Sequence, residues 1–349
     1  GPGASEEPAP PPGPADQPPP PPPGPDGQGP PPPAAAPDWL DVTGFWEVRA
    51  GLRTQKPVHQ RQASIGETRL RLDWEKPWQR VVLKLSADLL YDAVLDRHAV
   101  NLETGEGFLD LRQANASFSP APFMDVKLGR QILTWGTGDL LFINDLFPKD
   151  WQAFFIGRDV EYLKAPSDAL KVSLFLGAAN VDVVYTPRFD ADRFICGRRL
   201  SYHSPLLGRQ VGRNAVLDAD RPDDWFADDE WAVRVWRNLA GYELAAYGYW
   251  GRWKSGGGMS PATGEAAFPR LAVYGASVRG QVGRGIGSLE VGYYDSRQDR
   301  VGSNPFVRNS EFRFLAGYEQ DLPQLARDLT VGVQYYLEWM ADYGQYLNT

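Results

Sequence analysis

One cysteine, Cys196, and three histidines, His59, His98 and His203, are the only thiol and imidazole groups in 349 residues. A lone thiol excludes an internal disulfide and a multi-thiolate metal centre. The histidines fall in connecting segments, and no Gly-x-Ser-x-Gly sequence occurs, so hydrolytic catalysis finds no support. "GRGIG" (283–287) imitates a phosphate loop only superficially and reads as a glycine-rich turn. No uncharged apolar run reaches the ~18–20 residues of a spanning helix. Acidic residues outnumber basic ones, 44 to 36, and no basic block marks a nucleic-acid partner. No enzyme, cofactor or metal is expected.

Proline is scarce except at the start. Eighteen of the 31 prolines lie within residues 1–37. That stretch has too little apolar surface to bury and is expected to be disordered or polyproline II. At ~3.1 Å per residue it could extend about 110 Å. It reads as a spacer, or as a docking segment for a periplasmic protein. The opening "GPGASEEPAP" looks processed, in keeping with a removed signal peptide.

What the chain has in abundance is alternation. In "GETRLRLDW" (66–74), Glu67, Arg69, Arg71 and Asp73 occupy one face and Leu70, Leu72 and Trp74 the other. In "GFWEVRAGLRT" (44–54), Trp46, Val48, Ala50 and Leu52 oppose Glu47, Arg49, Gly51 and Arg53. The pattern returns at 82–91, 170–175, 180–185, 288–296, 311–319 and 329–339. It is weaker at 108–118, 123–135, 231–239, 242–253 and 271–280. Period two is the strand signal. The reading gives 13 strands, many near the ~9–11 residues of a tilted transmembrane strand. Short connections such as "KPWQ", "SPAP", "GAAN" and "LAGY" alternate with long ones at 55–65, 92–106, 136–168, 188–229, 254–269 and 297–309.

Short turns at one end and long loops at the other are the plan of an outer-membrane barrel. Lipid offers no hydrogen bonds, so a spanning sheet must close on itself with an apolar exterior, while its interior can be wet. One such strand could also lie on a soluble, secreted all-β binding protein. Repetition over many long strands favours an all-β, antiparallel up-and-down transmembrane β-barrel over residues 38–349, in contact with outer-membrane lipid. Aromatic residues near strand ends (Trp46, Trp74, Tyr91, Tyr185, Trp250, Tyr318, Trp339) fit interfacial girdles. Thirteen is odd, and single-chain bacterial barrels are even-stranded. A complete barrel of 14 or 16 strands is expected, the present chain lacking the last strand or strands.

The segment "VKLGRQILTWGTGDLLFINDLFPKDW" (126–151) resembles that of porin-like Gram-negative outer-membrane barrels related to alginate-export channels. The shared features are a "GRQ…WG" strand end, here Gly129, Arg130, Gln131, Trp135 and Gly136, and a following loop rich in aromatic and Asn/Asp residues. Residues 158–189 look like the next segment of such proteins. The resemblance implies a channel for polar solutes, a porin or an export portal, and no enzyme. The family's strongly arginine-lined pore is not repeated here. An outer-membrane sheath that docks periplasmic proteins through the proline-rich tail is the alternative.

Alternation assigns the lumen. The expected pore-lining residues are Glu47, Arg49, Arg53, Glu67, Arg69, Arg71, Asp73, Lys84, Asp88, Arg112, Lys127, Lys171, Arg234, Glu290, Arg313 and Glu338. Cations concentrate in the early strands and anions in the last three, which would set a transverse field across a wet pore. The alternative is that opposed charges pair along the wall. The loop at 136–168 is too apolar to stand free. It is expected to form a constriction through Phe142, Asn144, Asp145, Phe147 and Trp151, or else to pack at the rim. Seven acids within 218–230 (Asp218, Asp220, Asp223, Asp224, Asp228, Asp229, Glu230) match no calcium-loop spacing and read as a solvated acidic loop.

Overall fold

The computed structural model describes residues 41–138 and 140–348. The expectations for the tail at 1–37 lie outside the described residues. Thirteen strands form one antiparallel meander: β1 (Val42–Leu52), β2 (Ala63–Trp78), β3 (Val81–Asp92), β4 (Leu109–Ala121), β5 (Met124–Ile132), β6 (Pro166–Phe175), β7 (Asn180–Thr186), β10 (Glu230–Leu239), β11 (Tyr242–Arg252), β14 (Arg270–Val282), β15 (Gly285–Ser296), β16 (Glu311–Asp321) and β17 (Thr330–Met340). Two small hairpins decorate the long loops: β8 (Tyr202–Ser204) with β9 (Arg209–Val211), and β12 (Gly258–Met259) with β13 (Ala266–Ala267). Helix is confined to short pieces, chiefly α1 (Trp151–Phe155) and a 3₁₀ turn at Val160–Leu163. Among the described residues no helix is long and apolar enough to cross a membrane. No ladder joins β1 to β17 among the described residues.

The tight turns follow from local chemistry. Ala240 and Gly241 both take positive φ (51° and 84°), as the two-residue turn between β10 and β11 demands. Gly283 (φ 60°) does the same between β14 and β15.

Register keeps the alternation of one strand in step with the next. Trp46 pairs with Leu70, Leu70 with Leu89, and Leu72 with Ala87. On the other face Glu47 pairs with Arg69 and Arg49 with Glu67. The apolar face is bare: Leu70, Leu72, Val331 and Val333 are 39, 38, 45 and 69% exposed. The opposite face is covered from within by the chain itself. The segment between β5 and β6 touches β3 through Tyr162 and Asp88, and β15 through Thr137 and Glu290. Strands so far apart can share one loop only if the sheet curls round it. The core therefore sits inside the curl, where Trp135, Ile143 and Phe147 of the loop pack with Tyr247 and Tyr249 of β11, Leu271 and Val273 of β14, Tyr294 of β15 and Leu315 of β16. The curled sheet thus has an apolar exterior and a charged, loop-covered inner face. Its interior corrects the expectation of a wholly wet lumen: much of it is filled and dry, because the loop brings its own apolar and charged side chains to the wall.

Candidate functional site

The site is the inward-folded loop and the wall that receives it. Glu290 on β15 fixes its first part. Its carboxylate accepts from the Thr137 backbone N–H (2.9 Å), from Thr137 Oγ1 (2.9 Å) and from the Asn144 N–H (2.7 Å). Asn144 Nδ2 donates to Val291 O (3.2 Å), and the Tyr294 hydroxyl donates to Ile143 O. Glycines make room for this approach. A methyl at Gly275 would collide with Asn144 Oδ1, and one at Gly292 would lie 2.7 Å from Ile143 Cγ2. Asp145 accepts from Thr134 Oγ1 (2.7 Å) and pairs with Lys149 (2.9 Å). Phe147 meets Trp135 edge-on at 4.9 Å. Asp150 caps α1 by accepting from the Ala153 N–H (2.7 Å). Trp151 Nε1 donates to Asp192 (3.1 Å), and Phe142 lies 6.1 Å from the Trp151 ring. Phe142, Asn144, Asp145, Phe147 and Trp151 thus all belong to one docked unit.

The second part of the loop meets the early strands through charge. Arg69 binds Glu67 and Asp88, each at 2.8 Å, and lies 4.4 Å from the Tyr162 ring. Arg158 of the loop adds a second cation to Glu67. Arg112 donates to the carbonyls of Lys164 (2.7 Å) and Glu161 (3.3 Å). Arg49 pairs with Glu47 (2.7 Å) and donates to Gly157 O (2.5 Å). Arg71 binds Asp73 (3.0 Å) and reaches Asp88 (3.4 Å). Glu67, Arg69, Asp88 and Arg112 are at most 3% exposed. They lie under the loop, so the expectation that they sit in solvated pore is corrected: they anchor the loop. The pairing also replaces the expected transverse field, since loop acids and strand acids meet the early-strand cations where they stand. Arg193, from the loop after β7, completes the arrangement by binding Asp110 (2.8 Å) and Asp150 (3.1 Å). Burial would depress an isolated guanidinium, but these two carboxylates hold Arg193 firmly in its charged form.

The remaining expected residues are scattered. Arg53 lies past the end of β1, where it donates to the carbonyls of Arg61, Ala63 and Arg199 instead of facing the lumen. Lys84 pairs with Glu75 (3.5 Å) and Lys171 with Asp182 (3.8 Å). Lys127 stands opposite Lys171 in the β5–β6 register. Arg234 pairs with Glu243 (2.6 Å). Arg313 binds Glu311 (2.5 Å) and approaches Glu338 (3.6 Å). Glu230 departs from the solvated acidic loop assigned to it: it is 3% exposed and takes Lys254 and the Tyr249 hydroxyl. Among the described residues no cluster of three or more metal-ligating side chains occurs.

Sequence reasoning missed Arg158, Arg193, Asp192, Trp253, Lys254 and Arg308. All lie in long connections, where no period marks which side chain turns inward.

No protein-family model and no curated protein matches the chain. Among solved structures it is similar to a mutant of the Rh. blastica porin (10% identity, TM-score 0.37, covering 84% of this chain and 83% of that one). It is also similar to Pseudomonas putida OprB (14%, 0.38, 84% and 72%). A third is Pseudomonas aeruginosa OccK2, solved in complex with glucuronate (10%, 0.35, 84% and 78%).

Proposed function

We propose that this chain is an outer-membrane channel of the porin kind, passing small polar solutes through a passage that its own loop narrows. The observation that carries the proposal is the pairing of opposites across one sheet: an exposed apolar exterior on a wall whose inner face is charged and loop-filled. A soluble binding protein would leave that exterior in water, where large apolar patches do not persist. In lipid it is satisfied.

The space left inside the wall supports a passage on both flanks of the docked loop. Ion pairs under the loop cover the early strands at Glu67, Arg69, Asp88 and Arg112, while a cavity of about 730 Å³ stays open along β3–β6, lined by Val82, Ser117, Asp125, Lys127, Lys171 and Ser173. On the β15–β17 side two cavities remain, of about 280 and 320 Å³, and Leu140 lines both. The second is polar, bordered by Arg279, Glu319, Gln334 and Thr137. Leu140 stands between the two cavities. A closer tie to alginate-export channels would rest on the "GRQ…WG" strand end alone, because the wall carries paired charges and no excess of arginine.

The test is conductance in planar bilayers after refolding from detergent. Discrete conductance steps are expected. A protein that stays monodisperse without detergent would refute the membrane assignment, and an inserted but silent barrel would refute the channel.

A further inference from the structure

This inference deepens the channel reading and rests on it. The cavity along β3–β6, about 730 Å³, lies within the size range of small-molecule sites and reaches the short β4–β5 turn at Ala121 and Pro122. One rung of the sheet crosses its wall. Val82 of β3 pairs with Ser117 of β4, Ser117 with Lys127 of β5, and Lys127 with Lys171 of β6. All four line the cavity, and Arg80 of the β2–β3 turn lines it too.

Lys127 and Lys171 stand directly opposite each other on neighbouring strands, where side chains start about 5 Å apart and like charges destabilise the pair. Lys84, on the next inward-facing rung, adds its charge to the repulsion on Lys127. Elsewhere on the inner face opposite charges meet across the rungs, Glu47 with Arg69, Arg49 with Glu67 and Arg71 with Asp88. Here the countercharges are loose or absent. Lys171 lies 3.8 Å from Asp182 and Lys84 lies 3.5 Å from Glu75. Asp182 is engaged by the Ser173 hydroxyl and by Trp236 Nε1 (3.1 Å), and Asp125 by the Ser119 hydroxyl (2.5 Å). Among the described residues neither Lys127 nor Arg80 pairs with a carboxylate, and the Ser117 hydroxyl has no partner. The wall thus keeps two ammoniums side by side, at a cost to its own stability, facing open space.

We propose that this rung is a binding subsite for the phosphate group of a small solute. The phosphate lies between Lys127 and Lys171 and takes the Ser117 hydroxyl, with Arg80 adding its charge from the turn. An ammonium is a compact point charge with three donors, suited to a tetrahedral oxyanion that offers acceptors on every side. A carboxylate is planar, and the guanidinium fork that would match it is missing from the rung. An uncharged solute would leave the like-charge pair unanswered.

The test is titration calorimetry on the full chain refolded in detergent, in chloride buffer, with inorganic phosphate, acetate and glucose as probes. Phosphate is expected to bind, with acetate at least about tenfold weaker and glucose giving no heat. Lys127→Gln removes a repelled charge, so it should weaken phosphate about tenfold while the unfolding midpoint holds or rises. Lys171→Gln gives a second reading of the same loss of affinity. Absence of phosphate binding, acetate binding as tightly as phosphate, or full phosphate affinity in Lys127→Gln would each overturn the proposal. A lowered midpoint in Lys127→Gln would overturn it as well, by showing that the lysine is held for stability. A silent barrel that binds phosphate would defeat the channel reading alone, and a conducting barrel blind to phosphate would defeat this subsite alone.

Discussion

The docking of the loop turns on Glu290, and replacing it by glutamine tests the whole arrangement. Its carboxylate is 1% exposed and accepts three hydrogen bonds, at 2.9, 2.9 and 2.7 Å. Among the described residues no cation pairs with it, so backbone and hydroxyl donors carry the whole compensation for a buried charge. Hydrogen bonds to a charged group contribute roughly 1.5–3 kcal/mol each. Glutamine keeps one carbonyl acceptor and turns an amide N–H₂ toward groups that are themselves donors. Losing the charge weakens the bonds that remain, and each buried donor left unmet costs a further amount of about 1–3 kcal/mol. Part of the docking survives through Asn144, Tyr294 and the packed Ile143 side chain. A net loss of about 3–4 kcal/mol shifts the balance between docked and released loop by roughly two to three orders of magnitude.

Single-channel recording in planar bilayers reads that shift directly. Glu290→Gln should give larger steps with more open-channel noise than the parent, because a loop released from β15 opens the β15–β17 side and fluctuates within it. Glu75→Gln is the control, since Glu75 is well exposed, pairs only with Lys84 at 3.5 Å among the described residues and touches no part of the loop; its step size should stay close to that of the parent. Step size and noise unchanged in Glu290→Gln, at equal refolding yield, would refute the claim that this carboxylate holds the constriction.

Three further outcomes are expected. Leu140→Ala should raise conductance by widening the space that Leu140 lines on both sides, and an unchanged value would place the path elsewhere. Val333→Arg puts a charge on the exposed outer face and should lower folding stability in bilayers by up to about 2–4 kcal/mol, the cost at mid-membrane; an unaffected denaturant midpoint would show that this face does not meet lipid. Asp190, in the loop after β7, is pushed up to about 6, first by burial and further by Glu230 and Asp168, with Lys254 and Arg130 opposing. Between the ordinary 3.8 and about 6 the folded state holds a proton that the unfolded chain has released, so stability should fall as pH rises through that window, by about 3 kcal/mol in total. Asp190→Asn should flatten that slope in urea titrations, and parallel slopes for the two proteins would remove Asp190 as its source.

The wall was legible in the sequence and the docking was not, for one physical reason. Lipid imposes a rule on every second residue, so Leu70 and Leu72 announce their side of the sheet without knowledge of any partner. That rule yields 13 strands in meander order, and the sheet has 13. Docking obeys no local rule. Glu290 lies 153 residues from Thr137, and Arg193 lies 83 from Asp110. Nothing near either residue marks the other. Gly275 and Gly292 were the nearest thing to a signal, since an inward-facing glycine in a strand marks a close approach. What approaches cannot be read from the glycine.

The same contrast explains why the alternation misled about water. Period two says that Arg69 and Asp88 turn away from lipid; it does not say that they turn toward solvent. A charged face can be satisfied by water or by countercharge, and the two differ in what they permit. With water, the early strands would line a pore. With Arg158 and Tyr162 pressed onto them, they become a dry seat whose ion pairs would be strongly destabilised by losing one member. The cost of desolvating so many charges is tolerable only because each finds a partner from a different strand or loop, which makes the seat specific for one loop position. Selectivity is then left to the side chains the loop does not cover, Leu140, Arg279 and Glu319 on one flank and Asp125, Lys127 and Lys171 on the other. A channel built this way would change its solute preference through substitutions at those open positions, and lose its constriction through substitutions at the buried anchors, Glu67, Arg69 and Asp88 on one side and Glu290 on the other.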